Sequence, residues 1–347
     1  MLSVRDLNRT LLLRQHLLER TTMSALRMVE HLVGLQAQEN LPPYLSLAAR
    51  IDRFDPVELS QAIEHAEAVR FLTMRGTIHV LVPDDALALR PWVQPALDQQ
   101  SSSNQMSRPA RGVPVPDLVA ATRRLLADGP LPVRRLGRGL AEAFPGVPAG
   151  ALTHVARERA PLVQMPPRGL WGRSGGVVYQ TVENLLGRAM TVVDVRELVR
   201  RYLRAFGPAS AADMTTWSRV TRLGPVFASM SGELVVVECE DGRRRYDVPD
   251  GSYADGDVPA PVRLLGCYDN VWLSHRDRAH IVPVDVRARW MGTNGRVGNT
   301  VFVDGFMAGL WWWRGGRVVT ELFRDLTREQ RSQLDEEVAG VESLLLR

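Results

Sequence analysis

Two glutamines separated by one residue, Gln36 and Gln38, are the first side chains whose type and spacing suggest chemistry. If a helix ends at Gly34 and the chain is extended before Pro42, residues 36 and 38 point to the same side of the backbone. Two neutral amides then stand side by side, and each offers a donor and an acceptor. Such a pair can orient a water molecule without supplying a strong base. Spacing alone favours the alternative, in which a glutamine simply caps a helix end.

Arginine is the second notable feature, because all 43 basic side chains of this 347-residue chain are arginines and none is lysine. P-loop, protein-kinase and Schiff-base chemistry need a lysine amine, so they are excluded, apart from what the α-amine of Met1 could do. The 39 acidic residues leave a formal charge of only +4, so the distribution of arginine matters more than its total. Clusters lie at residues 123–124, 134–138, 157–159, 168–173, 200–204, 219–222 and 243–245. They favour duplex DNA binding; a solvated surface encoded by a GC-rich genome is the alternative.

Other motifs carry weaker signals. Ser174 lies in a Gly-x-Ser-x-Gly pattern, but its flanks predict a turn between strands and not the strand-turn-helix of a hydrolase. His275, Asp277 and His280 have no further ligand at a spacing typical of a metal site. Trp311–Trp313 could stack on bases, although adjacent strand residues alternate faces and at least one should be core. Two cysteines and the absence of a long apolar run predict a cytoplasmic protein without a membrane segment.

The elements that must position these residues follow a repeated order. Helical signals cover 3–20, with Ser3 as the cap and Asp6 three residues on, and 24–34. A third helix is predicted from Asp55, with Glu58 as its capping-box glutamate. Two strands hinged at Arg75-Gly76 follow within 69–82, which gives the order of a winged helix. Similar orders recur over 119–179, with helical signals at 119–127, 133–143 and 149–159 and a Gly-rich hairpin at 170–179, and over 192–248. The remainder is β-rich, with a hairpin turn at Asp304-Gly305 and a closing helix over 327–346. We predict an α+β fold of three tandem winged-helix units packed around a C-terminal β-barrel-like region, with boundaries at 1–98, 115–185, 190–255 and 258–347.

Four short blocks together resemble a known family, the AlkZ/YcaQ winged-helix DNA glycosylases. They are VGLQAQ (33–38), MRGTIH (74–79), DNVWLSHRDR (269–278) and VDG (303–305) followed by GLW (309–311). The resemblance extends over nearly the whole chain and implies excision of N7-alkylated purines, including bulky natural-product adducts and crosslinks. Gln36 and Gln38 match the catalytic Gln-x-Gln of one branch, and the aspartate of the other branch is absent. This departure favours the AlkZ-type, self-resistance branch.

The reaction that the resemblance implies is one that two amide side chains could assist. Alkylation at N7 makes the purine a cationic leaving group, so what remains is to place a water near C1′ and stabilise a developing sugar cation. Without lysine, the enzyme should be monofunctional, should have no lyase activity and should leave an intact abasic site. No metal or other cofactor is expected.

DNA contacts are predicted at three places. Arg75, Thr77 and His79 lie beside the glutamines, and Arg244 lies on the hairpin of the third unit. A groove-entering hairpin is predicted from turn residues flanked by arginines and an apolar wedge, with the residues Arg287, Arg289, Trp290 and Arg296; an ordinary hairpin is the alternative.

The predicted partner is double-stranded DNA carrying alkylated purines, bound by a monomer at the nucleoid in the cytoplasm. A non-catalytic winged-helix regulator or adduct-binding protein is the alternative function, and a serine hydrolase using Ser174 is a third possibility.

Overall fold

The computed structural model describes residues 1–290 and 298–347, with the backbone but not the side chains of residues 287, 288 and 290. Helices and antiparallel strands are mixed along the described chain, which confirms the predicted α+β class. None of the described helices is long and apolar enough to cross a membrane.

Residues 1–103 form five α-helices and three strands, and every one of these residues is described. The elements are α1 (Val4–Arg14), α2 (Ala25–His31), β1 (Leu35–Gln36), α3 (Pro42–Arg50), α4 (Pro56–Glu64), β2 (Val69–Leu72), β3 (Ile78–Leu81) and α5 (Pro83–Ser103). The predicted capping of α1 is confirmed, because the side chains and backbones of Ser3 and Asp6 bond reciprocally. The helix is shorter than predicted, since His16 takes a left-handed conformation with φ 54°.

Two helices that the sequence analysis does not predict contain prolines. Pro42 and Pro43 occupy the first turn of α3, where a missing N–H costs nothing. Helix α5 was not predicted, and it runs through Pro91 and Pro95. Pro91 leaves the Leu87 carbonyl without its usual intrahelical donor, and the backbone N–H of Thr191 donates to it at 3.2 Å.

The middle of the chain is largely helical. Its elements are α6 (Val115–Leu125), β4 (Leu131–Pro132), α7 (Val133–Ala143), α8 (Ala149–Arg159), β5 (Leu162–Gln164), β6 (Val178–Thr181), α9 (Val182–Leu186), α10 (Val195–Phe206), α11 (Ala211–Ser218), α12 (Gly224–Ser229), β7 (Val235–Glu238) and β8 (Arg244–Asp247). The ranges predicted for α7 and α8 are confirmed. The Gly-rich hairpin over 170–179 is wrong as placed, because residues 165–177 form a loop between β5 and β6.

The C-terminal part holds β9 (Arg263–Leu265), α13 (Asn270–Leu273), α14 (Val284–Trp290), β10 (Asn299–Val303), β11 (Phe306–Arg314), β12 (Arg317–Leu322) and α15 (Arg328–Leu345). The predicted turn at Asp304-Gly305 joins β10 to β11, and the predicted closing helix is α15. Among the described residues, β9–β12 form an open four-stranded sheet in the order β12-β11-β10-β9, so the expected barrel-like closure is not found.

One antiparallel sheet joins the first and second predicted units. Its strand order is β1-β3-β2-β5-β6-β4, and the junction is the pairing of β2 with β5 at Arg70 and Phe71. Strands β7 and β8 form a separate hairpin. The winged-helix character of the three units and their boundaries stay predictions.

Two apolar cores lie beneath these sheets. The larger core combines the first hundred residues with α10–α12, the C-terminal sheet and α15. A smaller core is enclosed by α6, α7 and α8 together with Tyr179 of β6. The first sheet therefore spans two separately packed bodies, and the Gln-x-Gln segment lies at the edge of the larger one.

Candidate functional site: the Gln-x-Gln segment and its arginine

Leu35 and Gln36 form the edge strand β1, and Gln38 follows it in a bend. Gly34 turns the chain with φ +97°, where a Cβ would collide with Leu81. Gln36 then lies opposite His79 of β3, and the N–H of Ala37 donates to the Ile78 carbonyl at 2.6 Å. The extended backbone predicted before Pro42 is therefore found at residues 35–36 but not at Gln38.

The amide of Gln36 is buried and held by a guanidinium. Nη2 of Arg75 donates to Oε1 of Gln36 at 2.9 Å and lies 3.1 Å from Nε2 of His79. Nη1 of the same arginine donates to the carbonyl of Trp217 at the end of α11. Arg75 therefore links the glutamine segment to a helix of the third predicted unit.

Gln38 faces the same turn from the exposed side. Its side-chain Oε1 accepts from the backbone N–H of Ile78 at 3.3 Å, and the residue is exposed. Thr77 is half-buried, and its hydroxyl donates to the Met74 carbonyl at 3.2 Å. The structure thus brings together all five residues predicted around this site: Gln36, Gln38, Arg75, Thr77 and His79.

Positive charge dominates the electrostatics of the site. Burial lowers the pKa of Arg75 to about 10, and the nearby charges of Arg278 and Arg219 add to this effect. Burial and then Arg75 lower the pKa of His79 well below its ordinary value, so that imidazole is neutral. No carboxylate among the described residues forms an ion pair with Arg75. A site of this kind attracts an anion, and DNA supplies one at every nucleotide.

Two buried polar residues that we did not predict hold the glutamine segment from behind. Arg70 is 1% exposed, and its Nη2 donates to the Ala37 carbonyl at 2.8 Å. Nδ2 of Asn270 donates to the Gly34 carbonyl at 2.8 Å. A signal for Arg70 was present in the sequence, since an arginine inside the apolar run of β2 needs a buried partner.

Arg244 lies at a second basic place, the β7–β8 hairpin. It is exposed, whereas Arg243 pairs with Asp277 and Arg245 pairs with Asp241 at 2.7 Å. A cavity of about 430 Å³ opens beside these arginines and is also lined by His275, Arg276 and His280. Within the described residues, Arg244 is the hairpin arginine without an ion pair.

The predicted groove-entering stretch is only partly described. Residues 284–290 form helix α14 instead of the first half of a hairpin. Arg289 is exposed, stacks 4.4 Å from the centre of the Phe323 ring and lies 3.8 Å from Glu321. The side chains of Arg287 and Trp290, and the whole of Arg296, lie outside the described residues.

The weaker motifs do not assemble into further catalytic sites. Across residues 1–290 and 298–347, no three His, Cys, Asp or Glu side chains are placed to hold a metal ion. His275 contacts the Phe206 carbonyl at 3.0 Å and packs edge-on against His280. Ser174 lies in a loop and not between a strand and a helix, and Trp311 is fully buried.

Comparison with known proteins identifies the family. A family model for AlkZ-like DNA glycosylases matches residues 29–344 of the chain. The chain belongs to the AlkZ-like DNA glycosylase family. This confirms the resemblance seen in the four sequence blocks.

A curated protein sequence and a solved structure, both from Streptomyces sahachiroi, are similar to the chain over almost its whole length. An interstrand DNA cross-link repair glycosylase is 26% identical over 358 aligned positions, covering 94% of this chain and 92% of that protein. The solved structure of the DNA glycosylase AlkZ superposes with a TM-score of 0.78 at 22% identity, covering 99% of this chain and 97% of the other. The fold of this AlkZ-like chain is therefore that of AlkZ.

Proposed function

We propose that the chain is a monofunctional DNA glycosylase that hydrolyses the N-glycosidic bond of N7-alkylated guanine in duplex DNA. The observation that carries the proposal is the convergence of Gln36 and Gln38 on one basic turn, in a chain of this family. The name of the Streptomyces relative, an interstrand cross-link repair glycosylase, supports bulky adducts or crosslinks as substrates. Self-resistance to a DNA-alkylating natural product, action as a monomer and location at the nucleoid complete the proposal.

The reaction requires little acid catalysis. When the C1′–N9 bond breaks, its electron pair goes to the purine and neutralises the charge left by alkylation, so a neutral base departs. A water oxygen then forms the new bond to C1′ of the oxocarbenium-like sugar, and its proton passes to solvent. The protein must hold this water in a position from which it can attack C1′. Two oriented amides can do this.

The product should be an intact abasic site. Strand cleavage by a lyase uses an amine to form an imine, and the sequence contains no lysine. The α-amine of Met1 is the remaining candidate, and Met1 lies at the β7–β8 hairpin beside Arg243 and Arg244.

The test is mass spectrometry of free bases released from duplexes that carry N7-methylguanine or a bulky N7 adduct. We expect release of the alkylated base, uncleaved strands before alkali treatment, and no borohydride-trapped protein–DNA adduct. Duplex binding without release from either substrate would instead support a non-catalytic DNA-binding protein. Strand cleavage without alkali would contradict monofunctional action.

Replacing Arg244 by alanine is expected to weaken duplex binding uniformly across sequences. One phosphate contact is lost, so the slope of log Kd against log salt should fall by about 1. Fluorescence anisotropy at several salt concentrations measures this slope. The exposed Arg53, whose side chain is 93% accessible, provides the charge-matched control Arg53→Ala. Equal slopes for the two variants would show that Arg244 makes no specific phosphate contact.

A further inference from the structure

The orientation of the Gln36 amide is fixed by the chemistry of its neighbour. A guanidinium can only donate hydrogen bonds, so the Gln36 atom 2.9 Å from Arg75 Nη2 must be the carbonyl oxygen. A flipped amide would set two N–H donors against each other. The NH2 group of Gln36 is thus the end of the side chain left for a ligand, because the hydrogen bond from Arg75 occupies the carbonyl end.

The same argument fixes the hydrogen positions around Arg75. Nδ1 of His79 lies 3.1 Å from the Thr77 carbonyl, which can only accept, so Nδ1 carries the hydrogen. Nε2 of His79 is therefore an acceptor for Arg75 at 3.1 Å. With the Trp217 carbonyl as third acceptor, the guanidinium has no freedom to turn. Arg75 also takes a left-handed backbone conformation with φ 56°, which a well-packed environment must maintain.

We propose that Arg75 is a positioning residue of the glycosylase reaction, which fixes Gln36 so that its NH2 group and not its carbonyl faces the DNA. This inference rests on the proposed function and makes Gln36 a hydrogen-bond donor. Its target is an oxygen acceptor, either a non-bridging phosphate oxygen or the attacking water. A water that accepts through one lone pair keeps the other for C1′, so donation is compatible with attack on an oxocarbenium-like carbon.

The deciding variant is Gln36→Glu, which keeps the shape of the side chain and removes its donor. Single-turnover release of N7-methylguanine should fall by about 10²-fold, the usual cost of losing one preorganised donor. If the acceptor is a phosphate, duplex binding also weakens; if it is water, binding stays within about twofold while the rate falls. A rate within about threefold of wild type would overturn the proposal, because a carboxylate can accept but cannot donate.

Replacing the arginine itself tests the positioning role. Arg75→Met removes the donor at similar length and frees the rotamers of Gln36, so the single-turnover rate should fall about 10-fold. Arg75→Lys keeps an N–H donor and should recover at least about a third of the lost rate. Arg53→Met is the charge-matched control and should behave like wild type. A wild-type rate for a folded Arg75→Met protein would overturn the proposal.

A double-mutant cycle of thermal stability checks the contact between Arg75 and residue 36 without relying on activity. The carboxylate of Gln36→Glu would lie against Arg75, so its pKa should be depressed below the unfolded value of about 4.3. The stabilising coupling is then present above that pH and lost as the pH falls through the folded pKa. We expect Gln36→Glu to lower Tm more in the Arg75→Met background than in wild type at pH 7. Absence of this coupling would overturn the proposal.

Failure of the inference and failure of the proposed function give different results. If the wild-type protein releases no alkylated base, the proposed function fails and the positioning role fails with it. If wild type is active and Gln36→Glu is equally active, only the positioning role fails.

Discussion

Replacing Gln36 and Gln38 together by alanine is expected to slow release of the alkylated purine by about 10²–10⁴-fold, the range typical of a positioned catalytic group. We expect the lower end of this range, because an N7-alkylated purine is already a good leaving group. Both side chains reach the turn at residues 75–78, so the double variant removes both amides from one place. Single-turnover kinetics on an N7-methylguanine duplex measure the loss.

The control for this variant is another glutamine. Gln105 is exposed, and Gln105→Ala should keep the wild-type rate. Because Arg70 and Asn270 hold the backbone of residues 34–37, the double variant should fold and bind duplex DNA within about threefold of wild type. Unchanged release by a folded double variant would remove the glutamines from the mechanism and leave the family membership without its expected catalytic pair.

Replacing Asp269 by alanine is expected to destabilise the protein by about 3–5 kcal/mol, because it leaves a fully buried arginine without its counter-ion. Two nitrogens of Arg50 donate to the two carboxylate oxygens at 2.8 and 2.7 Å, and both side chains are completely inaccessible. The carboxylate also accepts from the hydroxyl of Ser46 and from the backbone N–H of Val271. The substitution therefore breaks an ion pair, a side-chain hydrogen bond and the cap of α13.

Chemical denaturation at pH 7 measures this loss. Asp257→Ala removes an exposed carboxylate from the same half of the chain and should change stability by less than about 0.5 kcal/mol. Asp269 precedes Asn270, whose amide holds the Gly34 carbonyl. We therefore expect slower base release from Asp269→Ala even below its Tm. A loss of stability under about 1 kcal/mol would mean that Arg50 finds another partner.

The sequence predicted helices and turns where residues close together along the chain determine them. Helices α7 and α8 lie between prolines and glycines that mark their ends, and the Asp304-Gly305 turn has the left-handed conformations that such a pair favours. The prediction failed where a residue far away in the sequence supplies the hydrogen-bond partner. Glu58 was assigned to a capping box of α4, yet its carboxylate accepts from the N–H of Ala25 at 2.7 Å while Asp55 alone caps the helix.

The residues of the site were predictable from the sequence, but the hydrogen bonds that join them were not. An extended chain before Pro42 was expected to place Gln36 and Gln38 on the same side, and Arg75 was a predicted DNA contact within the block MRGTIH. The structure directs the Arg75 guanidinium to the carbonyl of Trp217, 142 residues away, and to the amide of Gln36. No local pattern encodes such a contact, because it depends on how α11 packs against the turn between β2 and β3.

The two apolar cores give the molecule a main body and a lobe, and Arg70 lies where they meet. Its backbone pairs with Gln164 of the lobe, while its guanidinium holds the Ala37 carbonyl between the two glutamines. The lobe has its own apolar packing and also contacts the body at α5, where Arg90 donates to the Glu158 carbonyl at 2.7 Å and Arg159 pairs with Asp98. Because the backbone of Arg70 pairs with β5 while its guanidinium holds the Ala37 carbonyl, a substitution that repacks β5 is expected to change the position of the glutamine segment as well.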